Sequence, residues 1–253
     1  MRIYLDHNAT TPTDPRVLRA MHHAASECWG NPSSSHHEGR IARDACERAR
    51  QQVAALLDLP AKQAQQQVMF TSGGTEANNS AILGLWGPAS AGSCAAQIIT
   101  SPLEHPSVKA AVQFLSDQGW PVHFLRVDQQ GTLDLDDLAS ALQRPTCLVS
   151  LSLCNHELGN MYPISVVAEQ AHRAGALVHC DAVQAVGRMP VDVTRLPVDT
   201  LTFSAHKMHG PKGIAALYVS SRLPPARFPA FLLGGKQEKG RRAGTESAPL
   251  AAG

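Results

Sequence analysis

The sequence predicts an α/β fold built on a largely parallel sheet. Short apolar runs alternate with helical segments of about ten residues along the whole chain, the pattern of βαβ units. Polar clusters, several of them glycine-bearing, follow directly after four of the apolar runs, where an open parallel sheet collects its ligands. With 253 residues, 43% hydrophobic and 17% charged, the chain can bury a sizeable core and lacks the composition of a disordered one.

The elements can be justified in order. Residues 16–26 follow Asp14-Pro15; Asp14 is the expected N-cap, and Pro15 suits the first helical position because its missing N–H has no partner to lose there. Residues 39–57 place Ile41, Ala45, Ala49, Val53 and Leu56 at three- and four-residue spacing, one face of a longer helix. Val68-Met69-Phe70 is a short strand broken by Ser72-Gly73-Gly74, and a helix runs from near Thr75 to Leu85. Further strands fall at 97–100, 121–125, 147–151, 177–180, 200–203 and 214–219, with helices at 106–116, 135–142 and 166–174. Residues 248–253 read as the start of a last helix, and Pro224-Pro225 through Pro229 as a loop. No internal repeat, low-complexity tract or linker interrupts the series.

Composition also excludes some functions. A net charge of +1 gives no electrostatic case for a nucleic acid or a membrane surface as partner. No apolar run is long enough to span a bilayer, and the N-terminus lacks the apolar stretch of a secretory signal. A cytoplasmic protein is expected. The six cysteines form no CxxC pair and no zinc-ligand spacing, so most should be free thiols.

Four polar clusters sit after predicted strands. In Thr71-Ser72-Gly73-Gly74-Thr75-Glu76 the glycines allow close backbone approach, and the following helix N-terminus offers open N–H groups to a phosphate; a tight turn with Thr75 as N-cap explains it equally well. In His179-Cys180-Asp181-Ala182-Val183-Gln184 the aspartate could pair with a protonated ring nitrogen and improve that ring as an electron sink, or it could cap the next helix. In Ser204-Ala205-His206-Lys207-Met208-His209-Gly210, Lys207 could form a Schiff base if held near other cations, or lie at the surface. Metal binding by His206 and His209 ranks last, because no carboxylate or cysteine stands beside them at ligand spacing. Cys154-Asn155-His156-Glu157-Leu158-Gly159 reads as a polar turn. Taken together in this order, the clusters describe one cofactor site: phosphate loop, ring-nitrogen carboxylate and Schiff-base lysine. The run Lys239-Gly240-Arg241-Arg242 is either a solvated loop or a further phosphate-facing one.

On these motifs the sequence resembles the cysteine desulfurases of the class V aminotransferase-like group, fold type I enzymes that use pyridoxal 5'-phosphate (PLP). The resemblance also rests on Tyr4-Leu5-Asp6-His7-Asn8-Ala9-Thr10-Thr11-Pro12, Gly30-Asn31-Pro32-Ser33-Ser34, Glu104-His105 and Gly240-Arg241-Arg242-Ala243-Gly244-Thr245-Glu246, and it runs nearly end to end. It implies a three-layer α/β/α large domain over residues 15–253 after an N-terminal arm over 1–14. It implies that Lys207 holds PLP, Asp181 pairs with the pyridine nitrogen and Gln184 bonds the ring hydroxyl. His105 would stack on the ring and share in acid–base steps. Gly74, Thr75, Ser204 and His206 would bind the phosphate, and Asn155 would lie near the ring and the substrate carboxylate. Thr245 would reach the phosphate of a neighbouring subunit, which makes a homodimer the expected assembly. The implied reaction turns L-cysteine into L-alanine and passes the sulfur, through an enzyme persulfide, to an acceptor or iron–sulfur scaffold protein.

The resemblance also sets departures. The family's catalytic cysteine lies in a serine- and glycine-rich loop of the C-terminal part, and none of the six cysteines occupies such a loop. The small C-terminal domain and its carboxylate-binding arginine are also lacking, so a fragment is expected. Cys180 precedes Asp181 on a strand and should point away from the ring. Ala205 stands where glycine is usual, which requires a negative φ, and Lys236 stands where glycine or histidine is usual. Two other readings stay open: a selenocysteine lyase or other PLP-dependent lyase of the same fold, and a non-catalytic PLP-binding or interaction subunit.

Overall fold

The computed structural model describes residues 3–84, 96–224 and 228–253. Among them are seven strands: β1 (Val68–Thr71), β2 (Gln97–Thr100), β3 (Val122–Phe124), β4 (Thr146–Ser152), β5 (Leu177–Asp181), β6 (Thr200–Ser204) and β7 (Ala215–Val219). They form one sheet in the order β1-β7-β6-β5-β4-β2-β3. Only β7 runs antiparallel to its neighbours, pairing Thr71 with Ala215 on one side and Ser204 with Ala215 on the other. The carboxyl ends of β1, β6, β5 and β4 therefore lie along one edge, the arrangement expected of a mainly parallel sheet.

Eight helices accompany the strands among the described residues: α1 (Pro15–Glu27), α2 (His37–Ala55), α3 (Ala61–Gln67), α4 (Gly74–Leu83), α5 (Pro106–Asp117), α6 (Leu135–Ala141), α7 (Ile164–Arg173) and α8 (Ala248–Ala252). Asp14 caps α1 by accepting from Arg16 N, with Pro15 in the first turn. His36 caps α2 through Nδ1, so that helix starts two residues before the expected Gly39. Its buried stripe is Ala42, Ala45, Ala49 and Ala54, while Leu56 is 46% exposed. The N-cap of α4 is Gly73, with Thr75 already inside the first turn, which removes the reading of Thr75 as a cap. Leu85, the expected end of that helix, lies outside the described residues, as does Pro225 of the expected loop. The short α3 is an element that apolar spacing does not reveal, because Ala-Lys-Gln-Ala-Gln-Gln-Gln carries no apolar stripe.

Burial along the strands sorts the helices into layers. Phe70, Val149, Leu151, Val178, Cys180, Leu201 and Phe203 share one core with residues of α2, α3, α6 and α7. Their sequence neighbours face the other way. Ile98 and Leu148 pack with Ile82 of α4 and Val108, Val112 and Leu115 of α5, and Met69 and Leu217 with Ala77 and Ala81 of α4. Since side chains alternate along a strand, the sheet is covered on both faces, the three-layer α/β/α architecture. Nearly continuous burial of β4, β5 and β6 is what a doubly covered parallel sheet requires. No helix among the described residues is long and apolar enough to cross a membrane.

Candidate active site

A cleft of about 270 Å³ opens at the carboxyl ends of β4, β5 and β6, against the start of α4. Eight of the ten sequence-predicted site residues line it: Gly74, Thr75, His105, Asp181, Gln184, Ser204, His206 and Lys207.

Asp181 ends β5 on the face opposite Cys180, which is fully buried in the core below. No helix follows Asp181 to be capped. Its Oδ1 accepts from Val183 N (3.0 Å) and its Oδ2 from Asn78 Nδ2 (2.8 Å). Gln184 donates through Nε2 to Asn8 O (3.0 Å). Ser204 ends β6, and the chain then makes a single 3-10 turn over Ala205–Lys207. Ala205 adopts no positive φ, so the residue that replaces the usual glycine causes no backbone strain there.

Lys207 reaches back to residues 8 and 9. Its Nζ donates to Ala9 O at 2.9 Å and, more closely, to Asn8 O. Burial and then the nearby Arg188 guanidinium lower its pKa from that of an ordinary lysine. Arg188 itself holds Asn8 Oδ1 (2.9 Å) and His7 O (2.8 Å). The His206 carbonyl accepts from Thr11 N and Thr11 Oγ1, both at 2.9 Å. Residues 7–11 thus form one wall of the lysine's surroundings. His206 and His209 are engaged separately, the first ring at Thr10 Oγ1 and the second at Pro12 O. Among the described residues no three histidine, cysteine, aspartate or glutamate side chains converge as metal ligands.

His105 caps α5: its Nδ1 accepts from Ser107 N at 3.1 Å and lies 2.7 Å from Ser107 Oγ. Its ring meets that of His156 edge-on, with centroids 5.2 Å apart. Burial lowers its pKa. The adjacent Glu104 is fully buried against Ser152, and burial pushes its carboxyl up to about 8.

Two predicted residues stand elsewhere. Asn155 is buried behind the cleft with its amide spent on backbone: Oδ1 accepts from Glu157 N and Leu158 N, and Nδ2 donates to Leu103 O. Thr245 is exposed and does not line this chain's cleft. The basic run beside it is committed too. Arg242 pairs with Glu76 at 2.7 Å, Arg241 donates to Gln66 O and Lys239 to Gln65 Oε1. Conversely, the cleft includes Asn78, Ser107, Cys154 and His156, to which sequence reasoning gave no role. Asn78 had a signal, since it lies three residues after Thr75 on the same helix. Ser107 had one as well, two residues into the helix that His105 opens.

The lining carries hydrogen-bonding capacity that the protein does not use. Gln184 Oε1, Ser204 Oγ and Asn78 Oδ1 are buried without a partner, although buried polar atoms are normally satisfied. No side chain caps α4, so its first amides, beside Ser204, remain open for an anion. A Cβ added at Gly74 would sit 3.3 Å from Val183 Cγ2, a tight contact that glycine avoids. An anion site, an aspartate and a lysine of lowered pKa around one cleft fit a phosphorylated, carbonyl-bearing ring such as PLP.

Comparison with known proteins agrees with this architecture. Residues 3–251 match the family model Aminotransferase class-V. Cysteine desulfurases from Sinorhizobium fredii and Klebsiella pneumoniae are each 44% identical to the chain, over 98% and 97% of it. The chain spans only 62% and 59% of those proteins. Among solved structures, a NifS-like protein superposes with a TM-score of 0.92 at 36% identity, covering 100% of this chain and 67% of its own. SspA in complex with cysteine superposes at 0.91 with 33% identity, covering 99% of this chain and 70% of its own.

Proposed function

Since the chain belongs to the class V aminotransferase family of PLP-dependent enzymes, we propose that residues 15–253 are the PLP-binding large domain of a cysteine desulfurase, preceded by an arm over 1–14. The observation that carries this reading is the cleft itself, where the Lys207 amine, the Asp181 carboxylate and the partnerless Ser204 hydroxyl beside the α4 N-terminus meet. When bound, PLP supplies an aldehyde for amines and a pyridine ring that draws electrons from the substrate's α-carbon.

The chain's own residues have the following parts. Lys207 Nζ, with its lowered pKa, is the amine that anchors the cofactor, and once released it takes the substrate α-proton. Asp181 keeps a proton on the ring nitrogen. Gln184, whose Oε1 is free, bonds the ring hydroxyl. Gly74, Thr75, Ser204 and His206 hold the phosphate. His105 stacks on the ring. Asn155 acts by holding the 155–159 turn. Thr245, exposed here, serves a second subunit, so the working assembly is a homodimer.

L-cysteine is the proposed substrate, as the relatives' names and the cysteine-bound neighbour suggest. L-alanine is the product, and the sulfur goes to an acceptor or iron–sulfur scaffold protein in the cytoplasm. Cys154 is the described cysteine on the cleft wall; its Sγ lies 3.6 Å from Gly159 O. Among the other described cysteines, Cys28, Cys46, Cys147 and Cys180 are buried, so sulfur abstraction is assigned to a thiol outside the described residues.

A visible absorbance spectrum of the purified chain with PLP, before and after L-cysteine, tests this reading beside Lys207→Ala. The expected result is a band that requires Lys207 and shifts on adding L-cysteine. A wild-type chain without such a band would overturn it.

A further inference from the structure

A hydrogen-bond chain runs along the wall of the cleft from Asp181 to His105. Asn78 Nδ2 donates to Asp181 Oδ2 (2.8 Å) and to Ser107 Oγ (2.9 Å), and Ser107 Oγ lies 2.7 Å from His105 Nδ1. Asn78 and Ser107 are 1% and 6% exposed, so water does not share these bonds. The direction of the chain is determined link by link. A carboxylate only accepts, so Asn78 must turn its NH₂ group towards Asp181. That group's second hydrogen goes to Ser107 Oγ, which accepts it and has its own hydrogen left to donate. The acceptor within reach is His105 Nδ1, which also accepts Ser107 N at 3.1 Å. With two donors aimed at it, Nδ1 carries no proton.

We infer that Asn78 and Ser107 are positioning residues that hold His105 neutral with its proton on Nε2, so that the ring presents the cleft with a hydrogen-bond donor and not a base. Protonating the ring would put a hydrogen on Nδ1, facing the Ser107 N–H and O–H. The hydroxyl would have to turn away from its acceptor while still receiving Asn78. The other charged groups around the ring do not reverse this. Burial is the largest influence against the cation; His156 from the turn after β4, Lys207 after β6 and Lys109 on α5 add to it, and Asp181 on β5 opposes them. Resting on the reading of the cleft as a PLP site, the inference has a consequence for the reaction. His105 donates a hydrogen bond to an acceptor such as a thiolate or carboxylate of the amino-acid substrate, and abstraction of the α-proton falls to Lys207 alone.

The test is made on the ¹⁵N-histidine-labelled chain without added cofactor, by long-range ¹H–¹⁵N correlation over a pH titration, with His105→Gln identifying the resonance. The expected spectrum shows the Nε2–H tautomer, titrating below 6.5. Ser107→Ala is expected to move that midpoint up towards 6.5, because Nδ1 then keeps only the backbone N–H of residue 107 as a donor. Asn78→Leu should move it the same way by a smaller step, because the Ser107 hydroxyl, no longer bound to accept from Asn78, is free to turn and accept from the ring. Ser107→Thr, which keeps the hydroxyl, should leave it near wild type. An Nδ1–H tautomer in the wild-type chain would overturn the inference without any variant. So would a midpoint that stays fixed in folded Ser107→Ala. Because no cofactor is present, a chain that shows the expected tautomer but no visible band with PLP would sink the cofactor reading alone.

Discussion

Two buried polar clusters of this molecule are alike in burial and opposite in what they leave undone. Between α2 and the turn at residues 238–240, the Arg50 and Glu238 side chains are 4% and 2% exposed. The pair is bidentate, at 2.7 and 3.1 Å; Arg50 Nη1 also donates to Val68 O, and the guanidinium lies 4.7 Å from the centre of the Phe70 ring. In the cleft, Ser204 and Gln184 are 2% and 8% exposed, yet Ser204 Oγ and Gln184 Oε1 have no partner. Burial does not separate the two places; satisfaction does. The pair converts its desolvation cost into a fixed connection between α2, β1 and the 238–240 turn. The cleft retains unspent hydrogen-bonding capacity, which is the form a ligand site takes before its ligand arrives.

The sharpest way to break this contrast is at Arg50. Arg50→Leu leaves Glu238 buried and unpaired, and is expected to cost about 3–5 kcal/mol in chemical denaturation. Adding Glu238→Leu should recover part of that loss, since the buried carboxylate is then gone, while Glu47, which also pairs with Arg50 at 3.3 Å, still lacks its partner. A single variant within about 1 kcal/mol of wild type would show that the pair is not what joins these elements. Ser204→Ala is the counterpart in the cleft. Removing a partnerless hydroxyl should leave the stability of the ligand-free chain within about 0.5 kcal/mol of wild type, or raise it. The same change should weaken PLP binding by about tenfold or more, the worth of one hydrogen bond to a charged group. Equal losses in both measurements would mean that Ser204 is structural.

A third expectation concerns Glu104, beside His105. Its folded pKa is raised from 4.5 to about 8 by burial, so the native state holds a proton that the unfolded state has released. The stability linked to this group is full below 4.5 and is lost as pH rises through 8, with a slope of at most about 1.4 kcal/mol per pH unit. Buried His179 acts in the opposite sense. Its pKa falls from 6.5 to about 4, so stability linked to it is gained as pH rises across that interval. The clean window for Glu104 is therefore 6.5 to 8. There Glu104→Gln should flatten the decline in denaturation free energy; an unchanged slope would assign it to other groups.

Much of the fold, and the gathering of eight of the ten candidate residues around one cleft, were legible in the sequence, for reasons visible at particular residues. Asp14-Pro15 announces α1 because capping and a fixed φ are local properties. Asp181, Ser204 and Lys207 could be placed at strand ends because each follows an apolar run. Elsewhere the local signal gave out. The helix α3 carries no apolar periodicity. The resemblance implied that Asn155 lies near the ring, whereas its amide oxygen serves the backbone of its own turn, in keeping with the local reading of 154–159 as a polar turn. Asn78 reads as one more polar residue on α4 until its bond to Asp181, 103 positions away, is seen.

By itself, then, the sequence determined the alternation of strands and helices, the caps and the order of the polar clusters, because these follow from side-chain periodicity and from dihedral preferences acting within a few residues. Only the tertiary structure decided that β7 slips in antiparallel between β1 and β6, that Lys207 turns to the carbonyls of Asn8 and Ala9, and that Asn78 and Ser107 join Asp181 to His105. Those outcomes depend on which distant groups can satisfy one another once water is gone, and that is settled by the packing of the whole chain.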